Sequence, residues 1–140
     1  MSIEDKLAIH EVIAQYAHTW EAKDAEGFAS LFTDDAVWES FAPGDTQPRF
    51  RAESRASIRA WATQSHHERP QGRYVRHHQS STCFEALTTE AARTQTIGLV
   101  TMRDATDAAP RLTHSGVYHD QWRKTPAGWR FVRRTFHWDM

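Results

Sequence analysis

The two halves of the chain are written in different periodicities, and that division constrains the fold more than any single motif. Helix-type patterns all fall before residue 66. From Tyr74 onward the sequence reads as four long β-rich runs: Tyr74 to Leu87, Ala91 to Arg103, Leu112 to Lys124 and Trp129 to Trp138. Turn formers separate them at Thr88-Thr89-Glu90, Asp104 to Pro110 and Thr125-Pro126-Ala127-Gly128. In the first half, Ser2 caps a helix that carries Glu4 and Asp5 in its first turn. Ile9, Val12, Ile13, Tyr16, Ala17 and Trp20 recur at three- and four-residue spacing and extend that helix to about Lys23. Asp24 caps a short second helix, Ala25 to Phe32. Asp34-Asp35 reads as a turn and Ala36 to Phe41 as a strand, broken by Pro43, Gly44, Asp45 and Pro48. Ser54 caps a third helix, Arg55 to Ser65, with Ile58 and Trp61 on its buried stripe, and His66 to Gly72 follows as a polar loop.

Strands this long without strict alternation imply a strongly curved antiparallel sheet with one face covered by the helices. The expected fold is therefore α+β, a cone-shaped barrel whose three N-terminal helices close a central cavity. The 140 residues show no composition shift, so they form one domain, residues 1–140, large enough to close a core without a staple.

Charge and composition narrow the partners. Lys plus Arg number 17 against 18 Asp plus Glu, a net charge of -1, so the electrostatic footprint of a general nucleic-acid binder is missing. The single cysteine, Cys83, reads as a small buried hydrophobe and excludes an intrachain disulfide framework or a Cys-rich metal site. No apolar run approaches the roughly 20 residues of a membrane helix, and MSIEDKLAIHEV lacks the regions of a signal peptide, so a cytoplasmic location without membrane contact is expected. Nine histidines, six Trp, three Tyr and seven Phe supply imidazoles that titrate near neutrality and ring faces that suit a flat apolar ligand.

The segment Ile13 to Trp38, IAQYAHTWEAKDAEGFASLFTDDAVW, resembles the opening of the SnoaL-like branch of the nuclear-transport-factor-2-like superfamily. The likeness rests on Tyr16, Glu21, Asp24 and the run Leu31 to Trp38. Gly128-Trp129-Arg130-Phe131 is similar to that family's final hairpin. The superfamily includes scytalone dehydratase, hexachlorocyclohexane dehydrochlorinase, steroid isomerase, polyketide cyclases and the small subunits of ring-hydroxylating dioxygenases. In the dehydratases and the dehydrochlorinase a carboxylate near the end of the first helix pairs with a histidine on the first long strand. The resemblance places these on Glu21 and His77. A second dehydratase histidine falls near Met102 and the steroid isomerase base falls on Ser40, so those two roles are vacant or have moved. The resemblance also implies a homodimer or homotrimer built through the outer sheet face.

Residue geometry is compatible with that dyad. At about 100° per residue, Glu21 lies roughly 80° from Ile13, on the shoulder of the apolar stripe. Alternation in Val75-Arg76-His77-His78-Gln79 sends His77 and His78 to opposite faces, so one of them meets the helices. A carboxylate holding one imidazole nitrogen leaves the other free as a general base. Tyr16 could donate to a substrate oxygen and stabilise developing charge. Trp20, Trp38, Trp61, Met102 and His119 are the expected substrate contacts. Arg130, Arg133 and Arg134 read as a solvated sheet face that could also contact a substrate anion. No HExxH-type spacing is present, so neither metal nor other cofactor is expected. The expected function is a cofactor-independent lyase, a dehydratase or related elimination enzyme, for a hydrophobic ring-containing small molecule. An isomerase or polyketide-type cyclase using the same pocket is the alternative. A non-catalytic binding module, such as a dioxygenase small subunit, is the alternative from another class.

Overall fold

The computed structural model describes residues 2–140. Ser2 opens α1 (Ile3–Glu21) with its Oγ accepting from the Asp5 N–H at 3.1 Å. Asp24 caps α2 (Ala25–Ala29) by accepting from the Gly27 N–H, and Ser54 caps α3 (Arg55–Glu68) by accepting from the Ser57 N–H. The strands are β1 (Phe32–Phe41), β2 (Phe50–Glu53), β3 (Tyr74–Leu87), β4 (Ala91–Arg103), β5 (Arg111–Thr125) and β6 (Gly128–Trp138). They form one six-stranded sheet in the order β2-β1-β6-β5-β4-β3. All neighbours pair antiparallel except β1 and β6, which run parallel.

The main differences from the sequence reading lie in the first half of the chain. The second helix stops at Ala29, not Phe32, because Phe32 is taken into the sheet as the partner of Phe131, whose N–H donates to Leu31 O. Asp34-Asp35 is a bulge inside β1, where the register with β6 shifts between Phe32 and Val37, and both acids are exposed. Phe50–Glu53, read as loop, folds back on β1 with Arg49 N–H donating to Ser40 O. Helix α3 also runs three residues further than expected, to Glu68. It carries His66 from the polar stretch into a buried position against Trp20, ring centroids 4.9 Å apart.

The helices cover the concave face of the sheet. Ile9, Val12 and Ile13 of α1, Phe28 of α2 and Ile58 of α3 form one core with Phe32, Trp122 and Phe131. Each such side chain stabilises the fold by about 1.5–3 kcal/mol. The β5–β6 end is tied to α1 by Asp5, which accepts from Trp129 Nε1 at 2.9 Å and from Lys124 Nζ at 3.0 Å. Towards the other end the sheet must accept rings lying flat upon it. Gly98 and Gly116 face each other across β4 and β5 there. A Cβ on Gly98 would sit 2.5 Å from Tyr118 Cε2, and one on Gly116 would sit 2.2 Å from the His137 carbonyl oxygen. The missing side chains are the space that Tyr118 and Phe136 occupy. No helix among the described residues is long and apolar enough to cross a membrane.

Candidate active site

Between the helices and the sheet lies a cavity of about 260 Å³. That is close to the lower end of the usual range for small-molecule sites, about 300 Å³. Its walls are mostly rings: Tyr16, Trp20, Trp38, Phe50, Trp61, Tyr118, Phe136 and Trp138, with Val75, Val100 and Met102. Three polar side chains complete it, Ser40, His77 and His114. Trp61 is the hub of the aromatic wall, its ring centroid 4.6 Å from Trp38, 4.9 Å from Trp20 and 5.0 Å from Phe50.

Strand β3 lies at the edge of the sheet and pairs only with β4. Its unpaired backbone donors are therefore available to the helical layer. Glu21, the last residue of α1, uses one of them: its Oε1 accepts from the His77 N–H at 2.6 Å. The same oxygen lies 3.7 Å from His77 Nδ1, beyond hydrogen-bond length but well within electrostatic reach. Arg76 Nη1 stands 3.9 Å from the other carboxylate oxygen. Arg69, just past α3, fixes the end of α1 by donating to the carbonyls of Trp20 and Glu21 at 2.9 and 3.0 Å. The Glu21 and His77 side chains keep only 11% and 10% of their exposure.

The electrostatics favour a neutral imidazole beside an ionised carboxylate. Burial alone would raise the Glu21 carboxyl, but hydrogen bonding to His77 and the charges of His77 and Arg76 hold it below its ordinary value. Burial pushes the His77 imidazole below its ordinary value. Glu21 pulls the other way, while Arg134 and Arg69 add to the depression. His114 is lowered by burial and then by His77. An uncharged imidazole can accept a proton, and the adjacent carboxylate stabilises the cation that results.

Beneath the cavity sits a buried ion pair. Arg134 Nε is 3.1 Å from Asp120 Oδ1, and both side chains are 0% exposed. The guanidinium carbon lies 4.1 Å from the centre of the Tyr16 ring and 3.7 Å from that of Tyr118. Burial pushes the Asp120 carboxyl up to about 6, with Arg134 opposing. Burial also raises the Tyr16 hydroxyl, again against the Arg134 charge, so it stays protonated and able to donate. That oxygen accepts from Trp38 Nε1 at 3.0 Å, which orients it, and the Tyr16 ring stands edge-on to His77.

Of the residues expected at the site, Tyr16, Trp20, Trp38, Trp61, His77 and Met102 line the cavity and Glu21 stands behind His77. His119 does not. It lies on the outer face of the sheet with its ring 4.8 Å from His137. His114, Gly116, Tyr118 and Asp120 lie on the inner face of β5, and the odd-numbered residues between them are turned away. Arg134 is a second correction, since it is fully buried rather than part of a solvated face. Cys83 is exposed, not buried, beyond the bulge that shifts β3 against β4. Phe50, Tyr118, Phe136 and Trp138 were not anticipated in the wall. Phe50 belongs to the strand read as loop, whereas Tyr118 could have been found from the parity it shares with His114. Among the described residues no three His, Cys, Asp or Glu side chains cluster as metal ligands.

A family model for the SnoaL-like domain matches residues 1–135. No curated protein matches the chain in sequence. Similar solved structures come from Novosphingobium aromaticivorans. An NTF2-like protein with a cystatin-like fold is 25% identical, with a TM-score of 0.81 over 98% of this chain and 83% of that one. A candidate scytalone dehydratase is 22% identical, with a TM-score of 0.81 over 99% and 86%. The β subunit of a candidate aromatic-ring-hydroxylating dioxygenase is 17% identical, with a TM-score of 0.82 over 95% and 88%. The last two likenesses establish a shared fold.

Proposed function

The chain belongs to the SnoaL-like domain family, and from that premise we propose that it is a cofactor-independent lyase whose base is His77, oriented and charge-stabilised by Glu21. The observation that carries this reading is the placement of one buried imidazole. His77 lines a cavity walled by rings, with a carboxylate on its own backbone N–H and 3.7 Å from its Nδ1. The second ring nitrogen is left for the substrate. It takes a proton from carbon, the C–H electron pair becomes the new double bond, and the leaving group departs with its own bonding pair. Tyr16 donates to the oxygen on which charge develops, a departing hydroxyl takes its proton from the imidazolium that His77 has become, and His114 is the second imidazole within the lining that can hydrogen-bond it. The part of the substrate that enters the cavity is a small ring-containing group without formal charge, because the cavity lining carries no Asp, Glu, Lys or Arg.

Isomerisation or ring closure would begin with the same proton abstraction, so an isomerase or cyclase is the near alternative. A non-catalytic subunit of the dioxygenase type needs neither an open cavity nor a carboxylate aligned on a buried histidine, and both features support the enzyme reading over it. The test is a mass-spectrometric turnover screen with hydroxylated aromatic, steroidal and polyketide-like ketones. A substrate should lose one molecule of water or another leaving group in the presence of the native protein. His77→Gln should abolish that turnover and leave the thermal unfolding midpoint unchanged. Full activity in His77→Gln would remove the histidine from the reaction.

A further inference from the structure

A second hollow, of about 380 Å³, lies outside the cavity where the end of α1, the segment after α3 and the start of β3 converge. Lys23, Arg69, Arg73 and Arg76 all line it, against the single carboxylate of Glu21. In a chain whose net charge is -1, this is a strong local imbalance. The turn at Gly72, with φ +82, folds the segment so that Arg69 and Arg73 reach the same space. Two of the four cations are already engaged. Arg69 holds the carbonyls of Trp20 and Glu21, and Arg73 grips Asp104 with two hydrogen bonds of 2.6 and 3.1 Å. The other two are held more loosely. Arg76 donates to the carbonyl of Val75 and otherwise faces Glu21 at 3.9 Å, and Lys23 has no carboxylate within ion-pair distance among the described residues. The crowding is felt electrostatically. The Arg69 guanidinium is pushed below its ordinary value first by burial and then, against the pull of Glu21, by Arg73 and Arg76.

We propose that this cleft binds an oxyanion, a phosphate- or carboxylate-class group, held between Lys23 and Arg76. A concave surface lined by one sign of charge focuses the field and raises the local concentration of the opposite ion. An anion seated there would relieve the repulsion among the four cations, and guanidinium suits oxyanions through its planar fork of donors. Glu21 turns its Oε1 onto the His77 N–H, and its Oε2 comes nearest Arg76 at Nη1, the nitrogen that also donates to Val75 O, so an anion would take the guanidinium from its other donors. Val75 lines both the cleft and the cavity. The oxyanion can therefore be a free ion or the charged end of a molecule whose apolar part enters the cavity.

Two probes separate these sources, inorganic phosphate and naphthyl phosphate, with 1-naphthol as the uncharged control. Binding is followed by calorimetry and by thermal midpoint at constant ionic strength set with chloride. Phosphate should bind saturably and raise the midpoint, because it binds the folded state alone. In the Lys23→Gln, Arg76→Gln double variant its dissociation constant should weaken about tenfold or more, two charges having been removed. The variant also supplies the baseline for the general stabilising action of phosphate as a salt. Naphthyl phosphate binding more tightly than both phosphate and naphthol would make the site the anchor of a charged substrate tail. Phosphate and naphthol binding independently would make it a separate anion site. Absence of chloride-resistant saturable binding, or equal binding by the double variant, would overturn the proposal. His77→Gln should bind phosphate like the native protein, so failure of the lyase reading leaves this test intact.

Discussion

Asp120 and Arg134 are cross-strand partners on β5 and β6 with no contact with solvent, and their charges must be balanced where they stand. An ion pair this deep loses more hydration than its own attraction returns unless the surroundings assist. The ring faces of Tyr16, Tyr118 and Phe131 around the guanidinium are that assistance, a cation–π contact on several sides. Asp120→Asn should lower stability by about 3–5 kcal/mol because it strands the Arg134 charge, whereas Asp120→Leu combined with Arg134→Met should be neutral or stabilising. Urea unfolding of the three proteins checks both. The pair was only half legible in the sequence. Arg134 shares its parity with Phe136 and Trp138, so its inward direction could be read. Its partner could not, because the register of β5 on β6 sets the meeting with Asp120. Glu21 and His77 were legible through the family resemblance, since 56 residues separate them and no local pattern links such a pair.

At the scale of elements, cavity depth depends on a sheet that leaves room for rings. The paired glycines Gly98 and Gly116 create that room, and they are informative because strands usually avoid glycine. Gly98→Ala would bring a methyl group to 2.5 Å from the Tyr118 ring, so the ring must tilt into the cavity or the strands must part. The expected cost is about 1–3 kcal/mol, with weaker binding of apolar cavity ligands such as 1-naphthol. Thermal unfolding and fluorescence titration would show both effects together. The helices and four long strands follow from periodicity and caps, which are local. Strand β2 was missed because its four residues carry one buried side chain, Ala52, and take their strand character from pairing with β1. Asp34-Asp35 misled for a related reason. Turn formers also occupy β-bulges, and only the parallel pairing of Phe32 with Phe131 distinguishes the two.

The whole molecule presents two unlike faces of one sheet. The inner face is the cavity. The outer face carries Ile97, 46% exposed, and Leu99, 39% exposed, on β4 beside Val117 of β5. Exposed apolar side chains grouped on the outer sheet face support the proposal that this protein self-associates there as a homodimer or homotrimer. Leu99→Glu should then shift the molar mass measured by light scattering to that of a monomer, without changing the circular dichroism spectrum. A native protein already monomeric at micromolar concentration would remove the interface.

The proposed catalysis, however, depends on the coupling of two side chains on opposite layers. The ionised Glu21 raises the proton affinity of His77 above what burial alone would leave. Replacing the carboxylate by an amide removes that support, so the His77 titration should move to lower pH. A weaker base would also lower the rate plateau and shift the acid limb of kcat/KM in the same direction. The direct measurement is the NMR titration of the His77 ring in the native protein and in Glu21→Gln. A lower His77 pKa in the variant is the predicted result. Coincident titration curves would show that the carboxylate and the imidazole do not act together, and would contradict the dyad on which the proposed chemistry depends.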